Sequence, residues 1–476
     1  MRPFSIGILA VLCAAPLAAQ FTPPPCNGVS PFTDVPADSL FCPWIKQMNA
    51  DHLSQGCGGG KYCPQGPVTR EQLSVILEKA VRGTDTFKID AGTLDGRDSN
   101  DFQRRHARVA ILDFDGSGDY PGPKQALDAL ATWCGTPDFN QHCLVSIQPG
   151  SYYLTVPLVI PSYVDVAGTG EEQVLLIPGF ATSLTEPVVN AGGVGEVRDL
   201  QIFVYGGDEA VGLVVEGDES ERLFRRVTVH TQSPKLALTV RLADNASATF
   251  EDCSLESTSQ SPGTSPFRAA ALWLSSGLGS QARLRRSDIS VNGHASSDCR
   301  AIELADFAGP DGAANSVDLE DSVVGVAGCL SGVGVRAGND AIASMNGGVF
   351  RILSATARGA LLGTDTDFQV RSAEIRAQGT TEIAIDSSAG SGGYVTLADA
   401  VLIADKSLIS GGGLSSEIRD SVLASVTSSI TSVAGDAIYV AVSRIDSAVA
   451  GTGAPKCVGA FDSGYDPLGP DCLPLP

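Results

Sequence analysis

The sequence predicts an all-β protein in which short strands coil into a stack, and three observations support this. A six-residue motif, apolar–polar–Asp/Arg/Ser–small–polar–apolar, recurs ten times between residues 197 and 446. Successive copies begin 20 to 35 residues apart, and Gly, Asn, Asp and Ser fill the gaps. Helical spacing is missing from these repeats. A unit this short cannot bury its apolar side alone, so the repeats must stack on one another.

Each copy alternates apolar and polar residues, as a half-buried strand does. A second strand, such as GLVVEG at 212 or ALTVRL at 237, precedes most copies. Each repeat is therefore expected to be strand, turn, strand, turn. Uneven repeat lengths exclude a leucine-rich horseshoe and a propeller, and they favour a parallel β-helix. About a dozen coils at roughly 4.8 Å would give a rod on the order of 55–60 Å long. The copies are VRDLQI at 197, FRRVTV at 224, FEDCSL at 250, LRRSDI at 284, LEDSVV at 319, FRILSA at 350, VRSAEI at 370, LADAVL at 397, IRDSVL at 418 and AVSRID at 441.

The segment before the repeats contains DFDGSGDYPGPKQALDALATWC, and SYYLTVPLVIPSYVDVAGTG follows at 151–170. Phrases of this type open many β-helix proteins. Over residues 107–455 the chain resembles the right-handed parallel β-helix of the pectate-lyase-like superfamily, which implies coils over 144–455. Residues 107–143 are expected to form an N-terminal cap that covers unpaired strand edges. Its short helix would carry the apolar residues Ala126, Leu127, Leu130 and Trp133.

The first 20 residues have the pattern of a secretory signal peptide. Arg2 supplies the positive charge, residues 6–15 are apolar, and small residues follow at 17–19. No later apolar run approaches the roughly 20 residues that a membrane helix needs. The formal net charge of −22 excludes nucleic acid and an anionic membrane face as partners. We expect an exported protein of the extracellular space or cell surface, with the periplasm as an alternative.

Residues 31–83 predict a small α-helical domain of two helices joined by a Gly/Pro loop. The segment combines F-x-D-V-P, GC-GGG-x-YCP and V-T-R-E-Q. It resembles a single S-layer homology (SLH) module of exported bacterial proteins. The resemblance implies binding of cell-wall glycan at Thr69, Arg70, Glu71 and Gln72. The segment departs from classical SLH proteins in two ways: it is a single module, and the fourth residue of the glycan-binding motif is Gln72. Anchoring to the cell wall would therefore require a trimer. The alternative is that Thr69 is only a helix N-cap. Residues 84–106 are expected to be a linker.

The cysteines lie in local pairs, which in an exported chain indicate disulfides. Cys253 lies in a strand of the repeat and is expected to be a buried free thiol. Residues 456–476 leave the repeat pattern and predict a disulfide-closed C-terminal cap, with a disordered tail as the alternative. The expected pairs are Cys26/Cys42, Cys57/Cys63, Cys134/Cys143, Cys299/Cys329 and Cys457/Cys472.

We predict no catalytic residues, because the sequence motifs of polygalacturonases and pectin methylesterases are missing. Asp113, Asp115, Ser117 and Asp119 alternate as oxygen ligands do in an EF-hand loop, which makes calcium a candidate ligand. The twelfth position is Lys124 rather than Glu, so an acidic turn is the alternative. Asp or Arg at the third position of the repeat predicts a solvent-facing or turn-capping column, with calcium or glycan binding as the alternative. No other cofactor is expected.

The leading hypothesis is a non-catalytic secreted or cell-surface protein. Its SLH-like module would associate with the envelope, and its β-helix rod would serve as a structural or binding surface. Cell-envelope polysaccharide is the candidate partner, although the scarcity of Trp and Tyr argues against an extended glycan cleft. One alternative is a polysaccharide lyase or hydrolase of the pectate-lyase-like class with a divergent site. Another is a trimeric β-helix adhesin.

Overall fold

The computed structural model describes two separate parts of the chain. In the first unit, Met1–Arg104, it describes Cys26, residues 30–50, Ser54, and residues 56–66 and 68–69. In the second unit it describes residues 106–113, 118–217, 220–260, 269–275, 279–306, 314–453 and 455–475. The predicted signal peptide, the second helix of the SLH-like segment and residues 84–105 of the linker lie outside the described residues.

The second unit is a right-handed parallel β-helix, as the sequence predicted. Its strands pair in parallel with the strands of the preceding and following coils. Each coil contributes to three sheets, which we call A, B and C in the order in which the chain visits them. Two strands per repeat were expected; the third was hidden because the motif itself spans the end of sheet A and the start of sheet B.

The strands of sheet A are His106–Leu112, His142–Ile147, Val164–Gly168, Ser247–Glu251, Gln281–Arg285, Ser316–Glu320, Ile342–Asn346, Asp367–Arg371, Tyr394–Ala398, Ser415–Arg419, Ala437–Ala441 and Lys456–Val458. Those of sheet B are Gly150–Leu154, Val174–Pro178, Ser254–Ser259, Asp288–Asn292, Val323–Ala327, Val349–Leu353, Glu374–Gln378 and Arg444–Ile445. Those of sheet C are Leu158–Val159, Val189–Asn190, Glu209–Glu216, Leu236–Ala243, Ala269–Leu274, Asp298–Leu304, Ser331–Ala337, Thr356–Leu362, Thr381–Ser387 and Val449–Gly451. Val194–Tyr205 and Glu221–Ser233 run from sheet A into sheet B, and Val401–Ser410 and Val422–Ser432 run from sheet B into sheet C.

The interior of the helix is a column of apolar side chains. Phe224, Phe250 and Leu284 occupy equivalent positions in successive coils, and each is at most 1% exposed. The rings of Phe224 and Phe250 stack with centroids 4.9 Å apart. Burying such a ring contributes about 1.5–3 kcal/mol, and the stacking adds about 0.5–1.5 kcal/mol. The predicted inward orientation of these residues is therefore confirmed.

The repeated motif is the corner between sheets A and B. Its third residue has a positive φ, for example 54° at Asp252 and 50° at Arg226. This left-handed residue turns the chain without a loop, so the apolar residues on either side both point inward. Asp and Asn tolerate this conformation better than other non-glycine residues. Two copies were misaligned. The coil of Phe350 turns at Gly347 (φ 75°), and Phe350 lies in sheet B; the copy beginning at Ala441 turns at its second residue, Val442 (φ 48°).

Small hydroxyls form a second column inside the corner. The Ser287 and Ser322 hydroxyls accept backbone N–H bonds of 3.2 Å from Cys253 and Ser287, one coil away in each case. Ser443 accepts from Ser421 in the same way. Cys253 is a free, buried thiol, as predicted, and burial raises its pKa to about 12. The thiol therefore stays protonated and unreactive.

One charged side chain lies inside the helix near its N-terminal end. Arg222 is 1% exposed, and its guanidinium donates to main-chain carbonyls that include Val164 (2.9 Å), Ala191 (3.2 Å) and Gly192 (2.5 Å). Burial lowers the pKa of Arg222 to about 10, partly offset by Asp165. Ala191 and Gly192 lie in a turn that leads from sheet C to sheet A, and Val164 begins the sheet A strand of the preceding coil, so this arginine links the two coils before its own.

Both ends of the β-helix are closed. The predicted cap helix forms as two short segments, Pro123–Asp128 and Leu130–Trp133, and the indole of Trp133 donates to the Ala126 carbonyl at 2.8 Å. Parallel pairing already begins at His106–Leu112, ahead of the boundary expected at residue 144. At the other end Phe461 bonds to the last coil through Ser443 and Ile445.

The described residues contain five disulfides, so the prediction of disulfide bonds is confirmed. They join Cys26–Cys42, Cys57–Cys63, Cys134–Cys143, Cys299–Cys329 and Cys457–Cys472.

The described part of the N-terminal unit has one helix, Cys42–Ala50, and a small core around Phe32, Val35 and Ile45. The Asp34 carboxylate accepts backbone N–H bonds from Tyr62 (2.7 Å) and Cys63 (2.8 Å). These bonds lower the pKa of Asp34 and fasten the Gly-rich loop to the turn before the helix. The SLH-like identity of this unit stays a prediction. Among the described residues, no helix is both long and apolar enough to cross a membrane.

Candidate functional site

The outer face of sheet C carries charged and aromatic side chains where the first coils carry apolar ones. The row that begins with Val214 continues through Arg241, Trp273, Glu303 and Arg336 in successive coils. The register is strictly parallel, so these side chains stand side by side at the strand spacing of about 4.8 Å. We call these side chains, together with the neighbouring Asp298, Arg300, Arg358 and Asp386, the sheet C row.

A buried carboxylate lies at the centre of the sheet C row. Glu303 is 3% exposed and lies between Arg300 (2.8 Å) and Arg336 (2.5 Å). Burial raises the pKa of the Glu303 carboxyl, against the opposing influence of both guanidiniums. Asp306 lies 3.9 Å from Arg336 on its other side, so the charges in this part of the row are closely balanced.

Further charged groups extend the row on both sides. Arg358 pairs with the buried Asp386 at 2.7 Å. Partial burial raises the pKa of Asp298, whereas Arg300 and Arg358 oppose that change. The sheet C row therefore presents donors and acceptors in adjacent coils, and burial raises the pKa of two of its carboxyls, Asp298 and Glu303.

The aromatic end of the row is built around Trp273. The guanidinium of Arg241 lies 5.5 Å from the centre of the Trp273 ring, in a cation–π contact. Arg241 also donates to the Leu184 carbonyl at 3.2 Å. Leu184 belongs to a segment that covers the apolar outer residues of the first coils, including Val211 and Leu238. That segment ends the exposed row on the N-terminal side.

The predicted column of charges at the A–B corner has a structural role. Arg226 pairs with Asp199 (2.6 and 3.0 Å), and Arg286 pairs with Asp252 (2.7 and 3.0 Å), each one coil away. Both pairs are bidentate, and they raise the pKa of the two arginines. These four side chains neutralise one another, which agrees with the predicted turn-capping column.

Sheet A continues this pattern on its own outer face. Arg225 bonds Glu196 (3.1 Å) and Glu251 (3.0 Å), and Arg285 forms an ion pair with Glu320 (3.0 Å). The alternation of sign from coil to coil makes in-register stacking the favourable one.

Three exposed aromatic residues lie on the N-terminal part of sheet B. Tyr153 is 70% exposed, Tyr205 66% and Phe203 36%. The Phe203 ring stacks on His230 at 4.8 Å, and His230 lies 3.0 Å from a Glu256 carboxylate oxygen. Within sheet B these exposed aromatic side chains lie together at the N-terminal end, whereas Tyr394 and Tyr439 are exposed on sheet A.

Only some of the sequence-predicted site residues lie in the described part of the chain. Thr69 is exposed, and residues 70–72 lie outside the described part. Two residues of the candidate calcium loop, 115 and 117, also lie outside the described part of the chain. The Asp119 carboxylate accepts a hydrogen bond from the Ile111 backbone N–H at 2.9 Å. No group of three or more His, Cys, Asp or Glu within the described residues is placed to hold a metal ion. The glycan and calcium sites stay predictions.

Sequence reasoning missed the sheet C and sheet B surfaces because it followed only the motif column. The signal lay beyond the motif: the second and fourth residues after each corner point outward in sheet B. The fourth residue after Asp199 is Phe203, and the fourth residue after Arg226 is His230. In sheet C, Trp273 lies in the otherwise aliphatic strand Ala269–Leu274, and Glu303 lies between the apolar residues Ile302 and Leu304.

Neither a protein-family model nor a curated protein sequence matches the chain. Several solved structures are similar in shape. The A-module of the mannuronan C-5 epimerase AlgE6 of Azotobacter vinelandii has a TM-score of 0.39 and 11% identity over 72% of this chain and 94% of its own. The catalytic unit of a GH87 α-1,3-glucanase from Streptomyces thermodiastaticus gives 0.37 and 14% over 78% and 73%. Tailspike protein 3 of bacteriophage CBA120 gives 0.29 and 14% over 84% and 70%. The fold assignment rests on the strand pairing described above.

Proposed function

We propose that this chain is an exported glycan-binding protein whose sheet C row holds a polysaccharide. The observation that carries the proposal is the arrangement of Trp273, Arg300, Glu303 and Arg336 on one face. A flat aromatic ring offers an apolar surface to a sugar ring, and the charged groups beside it can bond sugar hydroxyls. A repeating polymer suits a surface that itself repeats at each coil.

Export and envelope association belong to the same proposal. Five disulfides suit an oxidising compartment. The N-terminal unit would associate with envelope polysaccharide through Thr69, Arg70, Glu71 and Gln72. A cell-wall pull-down that compares Arg70→Ala with the parent protein tests this role, and equal retention of the two would contradict it.

The sheet C site is tested by titration calorimetry with the polysaccharide fragments that bind best in a glycan-array screen. We expect Trp273→Ala and Arg336→Gln each to weaken binding about tenfold, the loss expected for one stacked ring or one charged hydrogen bond. Tyr394→Ala and Arg283→Gln are matched controls, because both residues are exposed on sheet A. Equal affinity in the sheet C variants and the controls would refute the site.

A polysaccharide lyase or hydrolase is the second candidate, and Glu303 favours it. A buried carboxyl with a raised pKa is the type of group that donates a proton in glycosidic cleavage. The test is release of reducing ends or unsaturated products from the bound polysaccharide. Cleavage that Glu303→Gln abolishes, while binding persists, would establish an enzyme; binding without cleavage by the parent supports the first proposal.

A further inference from the structure

A separate depression of about 240 Å³ lies on the outer face of sheet B, in its C-terminal half. Its lining comes from two neighbouring strands, Val349–Leu353 and Glu374–Gln378. The lining residues are Arg351, Ile352, Leu353, Glu374, Arg376 and Gln378.

Two arginines lie side by side in this depression. Arg351 and Arg376 are register partners, so their side chains leave the sheet from adjacent positions. Arg376 is held by Glu374 through bonds of 2.7 and 2.9 Å. Arg351 is exposed, and its side chain forms no hydrogen bond or ion pair with the described residues. The depression therefore has a net positive charge in a chain whose formal charge is −22.

The depression opens into a second hollow of about 370 Å³, and Leu353 and Gln378 line both. The second hollow exists because the turns at 354–355 and 379–380 are only two residues long. The earlier turn at 293–297 has five residues and contributes Ala295 to the wall. A ligand bound at Arg351 thus has room to continue along the rod.

Small residues connect this end of sheet B with its aromatic end. Glu256, Ser290, Gly325 and Arg351 follow one another in consecutive coils. A Cβ atom built on Gly325 would meet no atom within 4 Å, so the face is open there. Glu256 and Arg351 are therefore three strand spacings, about 14 Å, apart on this face.

We infer that the Arg351–Arg376 depression binds the carboxylate of a uronic acid unit in an acidic glycan laid along sheet B. The guanidinium fork matches a carboxylate bidentately, which a neutral sugar cannot use. The two hollows leave space for the adjoining sugars. This inference shares with the proposed function only the ligand class, because the two sites lie on different sheets.

The probes are an oligogalacturonate of six units and the same oligomer with its carboxyl groups reduced to alcohols. Titration calorimetry on the full chain should show Arg351→Gln weakening the acidic oligomer about tenfold, with no change for the reduced one. Arg371→Gln is the matched control: it is an exposed arginine on sheet A that loses the same charge. Added salt should weaken binding of the acidic oligomer in the parent and less so in Arg351→Gln.

The outcomes separate the two sites. Loss of the acidic oligomer in Arg351→Gln but not in Trp273→Ala supports a second site on sheet B. Equal affinity of Arg351→Gln and Arg371→Gln overturns the inference, even if Trp273→Ala shows that sheet C binds glycan. A sulfated oligosaccharide that binds as tightly and depends equally on Arg351 would contradict recognition of a carboxylate. Absence of any binding by the parent would contradict both proposals.

Discussion

The guanidinium of Arg226 grips the carboxylate of Asp199 one coil away through two bonds of 2.6 and 3.0 Å. Both residues have left-handed backbone conformations, with φ of 50° and 58°. The same two residues therefore turn the chain within their coils and link the two coils through their side chains. Sheets A and B meet at a corner that is held by geometry within a coil and by charge between coils.

We expect the backbone strain of the left-handed residue at this corner to affect the free energy of unfolding more than its ion pair does. Arg226→Ala should destabilise the β-helix, because it keeps the strained φ and removes the pair. Arg226→Gly loses the same pair but removes the strain, so it should be about 1 kcal/mol more stable than the alanine variant. Urea unfolding of the two variants measures this difference. Equal midpoints would show that φ at this residue carries no appreciable strain.

Arg222 should be among the most sensitive positions in the chain. Arg222→Met leaves the carbonyls of Val164, Ala191 and Gly192 buried without donors, and the expected loss is about 3 kcal/mol or more. Arg283→Met is the control, since that arginine is half-exposed on sheet A and should cost less than about 1 kcal/mol. Chemical unfolding followed by circular dichroism gives both values. Similar losses in the two variants would contradict the role assigned to Arg222.

Asp288 should make a pH-dependent contribution. Partial burial, and then the charge of Glu256, raise its pKa above the ordinary 3.8. The folded chain therefore binds more protons than the unfolded chain just above pH 3.8, and stability falls as the pH rises through that window. Asp288→Asn should be more stable than the parent at pH 7, by less than about 1 kcal/mol because the group is exposed, and not at pH 3. An advantage of equal size at both pH values would rule out titration as its cause.

Gly293 should be required for the Cys299–Cys329 disulfide. A Cβ atom on Gly293 would come impossibly close to both sulfur atoms. Gly293→Ala is therefore expected to yield two additional titratable thiols per denatured, unreduced chain. Gly325→Ala is the control, because its Cβ meets open space and should leave thiol content unchanged. A normal thiol count in Gly293→Ala would mean that the turn at 293–297 relaxes.

The sequence predicted the stacking but not the path within a coil. The inward phase was legible because Phe224, Phe250 and Leu284 recur in one column. The third sheet was not, since a left-handed residue such as Asp252 looks like one more polar position in an alternating strand. Period-two patterns record which way side chains point and carry no information on a bend between them.

The surfaces were harder to predict for a different reason. Arg300 and Arg336 lie 36 residues apart in the chain yet flank one carboxylate. Their contact depends on register between coils of unequal length, which is fixed only when every turn has been placed. Arg351 is a candidate site residue because Arg376 of the next coil lies beside it in a depression, which its own local sequence does not show.

Because each strand pairs with the equivalent strands of the preceding and following coils, distances along the rod are multiples of one strand spacing. Two coils, those of Ser290 and Gly325, separate Glu256 from Arg351. Inserting or deleting one complete coil there would move the arginine by about 4.8 Å and leave both ends unaltered. The distance between two surface groups on the β-helix can therefore be changed by design in steps of one coil.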